Sequence, residues 1–330
     1  MGGLKMKKMI LLLSLAVAAF AVYSCSKDAP EAPVAGIPIT IEVGSPEFDE
    51  PGTKISPNGS NLKYKFDAGE YFHLYSFMND GSITTDWGRF TTDAGGAWAR
   101  FHGVMPADYA ADTHGDQFRA LFHPSEYLDM TWNSSQSRYE LSYNIPSQQD
   151  GTGLKYCLFC NSNNPTFDPT VLGDNGNPKL VLQFRCFNCL CHLNLVGGDV
   201  RTIKVTVQHM IKNNYALVSS GDKKDIVFNV TGRALSGGGN KTVTISNNGE
   251  VLSGDIYFVT RQTNGNATNG YARLTFEFIN GSGEVCTKHL NLATGTNPDG
   301  TASAYKNLSN YHKLTNFGTV DLTSATFVAP

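Results

Sequence analysis

The sequence predicts an all-β protein made of two antiparallel β-sandwiches. Its apolar runs are short, rich in β-branched and aromatic residues, and bounded by Gly, Asn, Asp and Pro, for example "TIKVTVQH" (202–209) and "ARLTFEFI" (272–279). Turn-forming stretches such as "NDGS" and "SGGGN" separate these runs. After the N-terminal region, only one turn near residues 106–112 has helical character. A length of 330 residues suits two domains of ordinary size.

The N-terminal residues are typical of a secretory signal. Three lysines, Lys5, Lys7 and Lys8, precede an apolar run over residues 9–22 that is short for a membrane span. The run ends at "YSC", and a cysteine in this position resembles the lipobox of bacterial lipoproteins.

We therefore expect residues 1–24 to be a cleaved lipoprotein signal peptide. Cys25 would then carry the lipid, an acyl chain such as palmitate, and the Pro- and Ala-rich residues 25–36 would form a flexible tether. The alternative is an ordinary cleaved signal followed by an incidental cysteine.

The charge balance argues against nucleic acid as a partner. Removal of the signal takes away three of the 26 basic residues and none of the 29 acidic ones, which leaves 23 against 29. A mildly acidic chain without clustered Lys or Arg does not suit a polyanion or an anionic membrane face. We expect its contact with the outer membrane to be made by the lipid on Cys25 alone.

The boundary between the two domains is predicted in residues 161–179, "NSNNPTFDPTVLGDNGNPK". This stretch holds three prolines among many Asn, Asp and Gly residues, which favour turns over regular strands. It divides the chain into an N-terminal sandwich at residues 37–165 and a C-terminal sandwich at residues 180–330.

Two Cys-x-x-Cys pairs resemble a zinc ribbon and are followed by a further cysteine; the five residues are Cys157, Cys160, Cys186, Cys189 and Cys191. A structural zinc site needs four ligands, usually presented on tight turns. Here the apolar residues of 180–196 run almost continuously, as in one strand buried on both faces with a bulge near Asn188. We therefore favour buried core thiols over a disulfide, and a disulfide over a metal site.

Several motifs, taken in chain order, resemble those of one protein family. They are "GTKIS" (52–56), "KFDAGEYFHLYS" (65–76), "FTTDAGGAWARFHGVMP" (90–106), "FRALFHPSE" (118–126), "LKYCLFC" (154–160) and "LQFRCFNCLCHLNL" (182–195). Together with the lipobox they resemble the fimbrillin-like (Mfa-like) surface lipoproteins of Bacteroides-type bacteria. Cys186 stands where that family usually has His.

The resemblance implies two transthyretin-like or immunoglobulin-like sandwiches and a fimbrial stalk, tip or anchor subunit at the cell outer membrane. Such a protein is no enzyme and takes no cofactor; its partners would be other fimbrial subunits, joined by donor-strand exchange, and a host protein or glycan. The sequence agrees, since its eight histidines are dispersed and it contains no recognised catalytic motif. The alternative is a surface glycan-binding lipoprotein with Trp132 as an aromatic platform.

The first strand, "IPITIEV" (37–43), is the expected exchange site. Four residues of one parity, Ile37, Ile39, Ile41 and Val43, can fill a core groove, while Pro38 confines that end of the strand to a sheet edge. Stalk subunits of the family lose this strand when a protease cuts in the following loop. Here residues 37–54 would be removable, with Lys54 as the candidate cleavage position.

Lys54 is the only basic residue of that loop, and the first arginine after the signal is Arg89. An arginine-specific maturation protease therefore has no site in the loop. This favours an anchor-like or tip-like member that keeps its first strand.

The C-terminal segment 317–330 is the candidate donor strand. Four residues of one parity could line an apolar groove in a partner: Val320, Leu322, Thr326 and Val328. The alternative, which we favour, is that this segment closes the second sandwich.

The lipid assignment gives a direct prediction for Cys25→Ser. Labelling with a fatty-acid analogue should tag the wild-type protein, whereas the variant should be unlabelled and released in soluble form, because it lacks the acylated thiol. Persistent membrane attachment of the variant would contradict the assignment.

Overall fold

The computed structural model describes residues 36–44, 64–78, 83–96, 98–124, 128, 130–209, 216–230, 234–261, 272–291 and 314–330. The first ten strands are β1 (Gly36–Gly44), β2 (Tyr71–Phe77), β3 (Ile83–Thr92), β4 (Trp98–Pro106), β5 (Gln117–Phe122), β6 (Met130–Asn133), β7 (Arg138–Tyr143), β8 (Gln148–Gln149), β9 (Phe159–Asn161) and β10 (Lys179–Cys186). The remaining strands are β11 (Cys189–Val196), β12 (Val200–His209), β13 (Ile226–Asn229), β14 (Ala234–Gly237), β15 (Thr242–Ile245), β16 (Gly254–Thr260), β17 (Ala272–Asn280), β18 (Val285–Asn291) and β19 (Leu314–Asp321). One helical turn, α1 (Ala111–His114), and one 3-10 turn, η1 (Leu154–Tyr156), interrupt them.

This composition confirms the all-β prediction. The expected helical turn also exists, although α1 begins at Ala111, near the end of the stretch in which it was predicted.

Seven strands form a sheet that closes on itself, in the order β1-β10-β9-β5-β2-β3-β4. We call it the closed sheet. In β10 every second residue from Leu180 to Cys186 is buried, whereas β2, β5 and β9 are buried almost continuously on both faces. Aromatic rings fill the interior: Phe72 lies 4.8 Å from Phe101 and 5.4 Å from Phe184, measured between ring centroids.

The C-terminal part contains two facing sheets, β16-β11-β19 and β18-β17-β12-β15-β8. Phe317 of β19 contacts Phe276 of β17 with ring centroids 5.1 Å apart, which joins the two sheets through their core. The Gln149 side chain closes one side, because its amide bonds both the N–H and the C=O of Val259. The C-terminal residues close the other side, where Val328 and Val285 exchange two backbone hydrogen bonds.

A further sheet, β14-β13-β7-β6, joins the closed sheet to the second sandwich. On one side Tyr139 of β7 contacts Phe77 of β2, with centroids 6.5 Å apart. On the other side Phe228 of β13 contacts Phe187, with centroids 5.1 Å apart. The buried side chains of all four sheets therefore form one continuous core.

Strand pairing does not follow the boundary predicted at residues 161–179. β10, which the prediction placed in the second sandwich, pairs with β1 and β9 in the closed sheet. Conversely, two strands that precede the predicted boundary pair with strands that follow it: β7 pairs with β13, and β8 pairs with β15. The chain thus leaves the closed sheet after β5, returns to it for β9 and β10, and leaves it again.

The expectation of one continuous strand over residues 180–196 is wrong. β10 ends at Cys186, and β11 begins at Cys189 in a different sheet, so Phe187 and Asn188 form the crossing rather than a bulge. The buried Asn188 side chain accepts a hydrogen bond from the Leu158 N–H and donates one of 2.8 Å to the Tyr143 hydroxyl. These bonds satisfy backbone and side-chain groups that the crossing would otherwise leave buried and unpaired.

Among the described residues, no helix has the length and apolar character needed to cross a membrane.

The role of Asn188 can be tested with Asn188→Ala. The substitution removes the hydrogen bonds of Asn188 with the buried Leu158 N–H and with the Tyr143 hydroxyl, so we expect the free energy of unfolding to fall by about 2–4 kcal/mol. Asn247→Ala is the matched control, because Asn247 is exposed and should change stability by only about 0.5 kcal/mol. Urea unfolding followed by tryptophan fluorescence measures both, and equal stability of the two variants would refute the assigned role.

Candidate strand-exchange site

The first strand lies inside the closed sheet, between two neighbours. β1 pairs antiparallel with β4 along its whole length and parallel with β10 from Thr40 to Gly44. Because β4 and β10 have no pairing with each other in the described part of the chain, β1 alone joins them. Removal of β1 would therefore open the sheet at this place.

The apolar face of β1 fills the interior of the closed sheet. Ile39, Ile41 and Val43 are at most 1% exposed, whereas Ile37 is 39% exposed. Ile37 lies three residues before Thr40, where the pairing with β10 begins, so it has a neighbouring strand on one side only. Three of the four predicted groove residues are thus buried, and the fourth lies at the open end of the slot.

Pro38 lies in the part of β1 that has a single neighbour. It is opposite Val104 of β4 and precedes the pairing with β10. A residue without an N–H is tolerated there because the parallel ladder has not yet begun. Only this end of β1 therefore has the edge position that was predicted for it. The rest of β1 has a paired strand on each side.

Polar side chains on the outer face connect β1 to its neighbours. Glu42 lies 2.7 Å from the Lys179 amine and 3.5 Å from Arg100 Nε, and Arg100 also lies 3.3 Å from Asp174. The Asn175 amide donates a 2.6 Å hydrogen bond to the Thr40 hydroxyl. These residues surround a shallow depression with room for about one water molecule.

The buried face holds β1 more strongly than these polar contacts do. Exposed ion pairs contribute about 0–1 kcal/mol each. Full burial of an isoleucine or valine side chain contributes about 1.5–3 kcal/mol, and β1 buries three such side chains. The polar contacts therefore fix the register of β1, while burial provides most of its attachment.

Two predicted positions lie outside the described residues: Cys25, the predicted lipid site, and Lys54, the candidate cleavage position. The signal peptide, residues 1–24, and most of the tether lie outside as well. Their assignments remain predictions.

The C-terminal segment is docked in its own sandwich. β19 pairs in parallel with β11, and Leu322 is 1% exposed, but the strand ends at Asp321 and a turn follows at Thr323. Of the four candidate donor residues, Val320 is half-buried, whereas Thr326 and Val328 are exposed. The turn explains this, because it interrupts the alternation that a continuous strand over 320–328 would have.

A buried histidine ties this last strand to the sheet. His192 of β11 lies 3.1 Å from the Asn316 side-chain oxygen through Nδ1 and 2.9 Å from Asp255 through Nε2. Its ring stacks on Tyr257 at 4.7 Å. One side chain therefore connects β11 with both β19 and β16, which supports a structural role for this histidine.

All six cysteines of the described region are buried free thiols: Cys157, Cys160, Cys186, Cys189, Cys191 and Cys286. Burial raises the pKa of the Cys157 thiol, and a hydrogen bond with Cys186 adds to the rise. The Sγ atoms of Cys189 and Cys191 are 3.7 Å apart. In the described ranges, no group of three or more His, Cys, Asp or Glu side chains is arranged to hold a metal ion.

Sequence reasoning missed the polar partners of β1. Arg100, Asp174 and Lys179 are far from Glu42 in the chain, and no local motif marks them. It also singled out Trp132, which is 48% exposed and contacts Tyr139 at 4.8 Å, but not Trp98, which is 67% exposed. A lone tryptophan at the start of a strand has no sequence pattern that reveals its exposure.

No protein-family model matches the chain, and no curated protein matches it. Among solved structures it is similar to a candidate cell adhesion protein from Bacteroides uniformis, with 12% identity, a TM-score of 0.48, and coverage of 89% of this chain and 94% of that one. A fimbrial protein from Bacteroides ovatus shows 13% identity and a TM-score of 0.38, over 88% of this chain and 51% of that one. The tip fimbrial protein Mfa3 from Porphyromonas gingivalis shows 10% identity and a TM-score of 0.35, over 81% and 85%. These solved structures thus carry names of candidate cell adhesion and fimbrial proteins.

The burial along β1 predicts opposite results for two substitutions in one strand. Ile41→Asp places a carboxylate in the core of the closed sheet and should lower the free energy of unfolding by about 4 kcal/mol or more. Ile37→Asp, the matched control, introduces the same group where the side chain is partly exposed, and should cost about 1 kcal/mol or less. Chemical denaturation measures both. Equal, small effects would show that β1 does not fill the slot.

Proposed function

We propose that this chain is a lipid-anchored surface adhesin or fimbrial subunit, without catalytic activity, that assembles by β-strand addition. The single observation that carries the proposal is the position of β1. It is the first described strand of the chain, and it alone joins β4 to β10. The closed sheet is therefore built around a slot that one short terminal segment fills.

An empty slot would suit a strand from another chain. The backbone groups of β4 and of the start of β10 would lose their partners, and the space of three buried apolar side chains would open. Both features favour an incoming strand with alternating apolar residues, which would restore the hydrogen bonds and refill the core.

The sequence favours a member that keeps its own first strand. The loop after β1 offers Lys54 as its only basic residue, so an arginine-specific protease has no site there. The contacts of Glu42 with Lys179 and Arg100 further stabilise the occupied slot. We infer an anchor-like or tip-like position at the cell outer membrane, with lipid on Cys25 as the attachment.

The partners in this proposal are other fimbrial subunits, and no cofactor takes part. The C-terminal residues 317–330 remain the candidate donor within this chain, but donation would cost the pairing of β19 with β11 and the burial of Phe317. We therefore favour a strand of a partner subunit as donor. The alternative function, surface glycan binding, is favoured by the exposed indole of Trp98.

Strand exchange can be tested with a protein that carries an engineered protease site in place of Lys54. After cleavage, β1 is held by non-covalent contacts alone. It should then exchange for a labelled peptide of residues 36–44, whereas uncut protein should bind no peptide, because its slot is occupied by a tethered strand. Fluorescence anisotropy follows the exchange.

Two further peptides sharpen the test. The same 36–44 peptide carrying Ile41→Asp should fail to exchange, since it would bury a carboxylate. A peptide of residues 317–330 should exchange only if the C-terminal segment can act as a donor. If cut, folded protein exchanges neither native peptide under conditions in which its own β1 dissociates, strand addition at this slot is ruled out.

A further inference from the structure

Trp98 presents one face of its indole to solvent on the outside of the closed sheet. It lies directly opposite Gly44 of β1. A Cβ atom placed on Gly44 would lie 3.1, 3.3 and 3.3 Å from three atoms of the six-membered ring, Cη2, Cζ2 and Cζ3. Nearly equal distances to neighbouring ring atoms place the face of the ring, rather than its edge, over the glycine backbone.

The opposite face of this indole is open, because the Trp98 residue is 67% exposed. Few soluble proteins gain stability from a tryptophan in such a position, since its apolar surface stays in water. The glycine beneath it keeps the ring flat on the sheet. The result is an exposed aromatic surface that lies against the sheet, which we call the aromatic platform.

Hydrogen-bonding side chains lie beside this platform. Strand alternation places Arg100 on the same face of β4, two residues or about 7 Å along the strand. On the neighbouring strands, Gln183 lies opposite Gly44, and Glu42 lies opposite Arg100. Arg100 and Glu42 also line the shallow polar depression, which extends from there toward Asp174 and Lys179.

The charges of this surface are balanced. Arg100 and Lys179 supply two positive charges, and Glu42 and Asp174 supply two negative ones, all joined by ion pairs of 2.7–3.5 Å. The surface therefore offers no excess of either charge to attract a ligand with a net charge. A neutral ligand with many hydroxyl groups would instead add hydrogen bonds to charged donors and acceptors that are already in position.

We propose that Trp98 and the adjoining face of β4, β1 and β10 form a binding site for a neutral pyranose residue of a glycan. The apolar face of the sugar stacks on the exposed indole, and its hydroxyl groups bond Arg100, Glu42 and Gln183. This inference deepens the proposed adhesin role by naming its ligand class. It does not depend on strand exchange, so each can fail without the other.

The second exposed tryptophan suits this purpose less well. The Trp132 ring contacts the Tyr139 ring, with the two planes 58° apart. The strand alternation of β6 and β7 places the polar residues Asn133, Arg138 and Glu140 on the opposite face of the sheet. Trp132 therefore lacks polar neighbours on its own face among these residues. It provides a matched control for exposed indole surface.

The test uses the protein from residue 26 onward and an array of neutral oligosaccharides. One arm carries host mucin-type glycans, another carries plant and bacterial polysaccharide fragments, and sialylated counterparts serve as charged controls. The wild type should bind neutral glycans. Trp98→Ala should weaken that binding at least about tenfold, as expected for loss of an aromatic anchor. Trp98→Phe should retain part of it, and Trp132→Ala should leave it unchanged.

Gly44→Ala provides a test that keeps the indole. The added methyl group would meet the ring face at 3.1–3.3 Å and tilt it, so binding should fall although Trp98 is present. Circular dichroism and the melting temperature confirm that each variant is folded. The site is refuted if no neutral glycan binds, if Trp98→Ala binds as wild type does, or if Trp132→Ala removes the binding.

Discussion

The structure depends on the parallel pairing of β1 with β10. β1 begins the described chain, whereas β10 follows only after the chain has passed through the second part of the molecule and come back. The closed sheet therefore cannot form until residues up to Cys186 are available. Pairing over such a sequence separation carries a large loss of chain entropy, which the buried side chains of β1 must offset. The strand that closes the sheet is for this reason also the strand whose loss opens it.

The same path makes the two parts of the molecule interdependent. β9 and β10 enter the closed sheet between segments that belong to the second sandwich, and buried asparagines support both passages. Asn161 bonds the Ala120 N–H and the Phe118 carbonyl beside β9, and Asn188 bonds Leu158 and Tyr143 at the crossing. Asn161 joins two strands of the closed sheet, whereas Asn188 joins the crossing to β7 of the sheet β14-β13-β7-β6, so loss of Asn188 would disturb contacts between the two parts.

Much of the fold could be predicted because the pattern of apolar and polar residues in a strand indicates which of its side chains are buried. The parity of Ile39, Ile41 and Val43 correctly placed them in a core, and the composition excluded a helical protein. The order in which strands pair within a sheet, by contrast, cannot be recognised from the local sequence. Residues 180–196 show one almost continuous apolar pattern, yet they form strands in two different sheets. β10 has buried residues at alternating positions and β11 has them at consecutive positions, and the sequence does not mark where one strand ends and the other begins. The prediction of a boundary before residue 180 failed to foresee the pairing of β10 with β1 for the same reason.

The slot and the aromatic platform meet at Gly44, the last residue of β1. Its inward neighbour Val43 completes the core, while its own missing side chain lets Trp98 lie flat outside. An incoming strand would reproduce the platform only if it too presented a glycine at this register, since any larger residue would lift the ring. Retention of β1 and presentation of Trp98 are thus consistent with one another. Under the proposed function, the absence of an arginine from the loop after β1 favours retention of β1, and retention keeps Gly44 beneath Trp98.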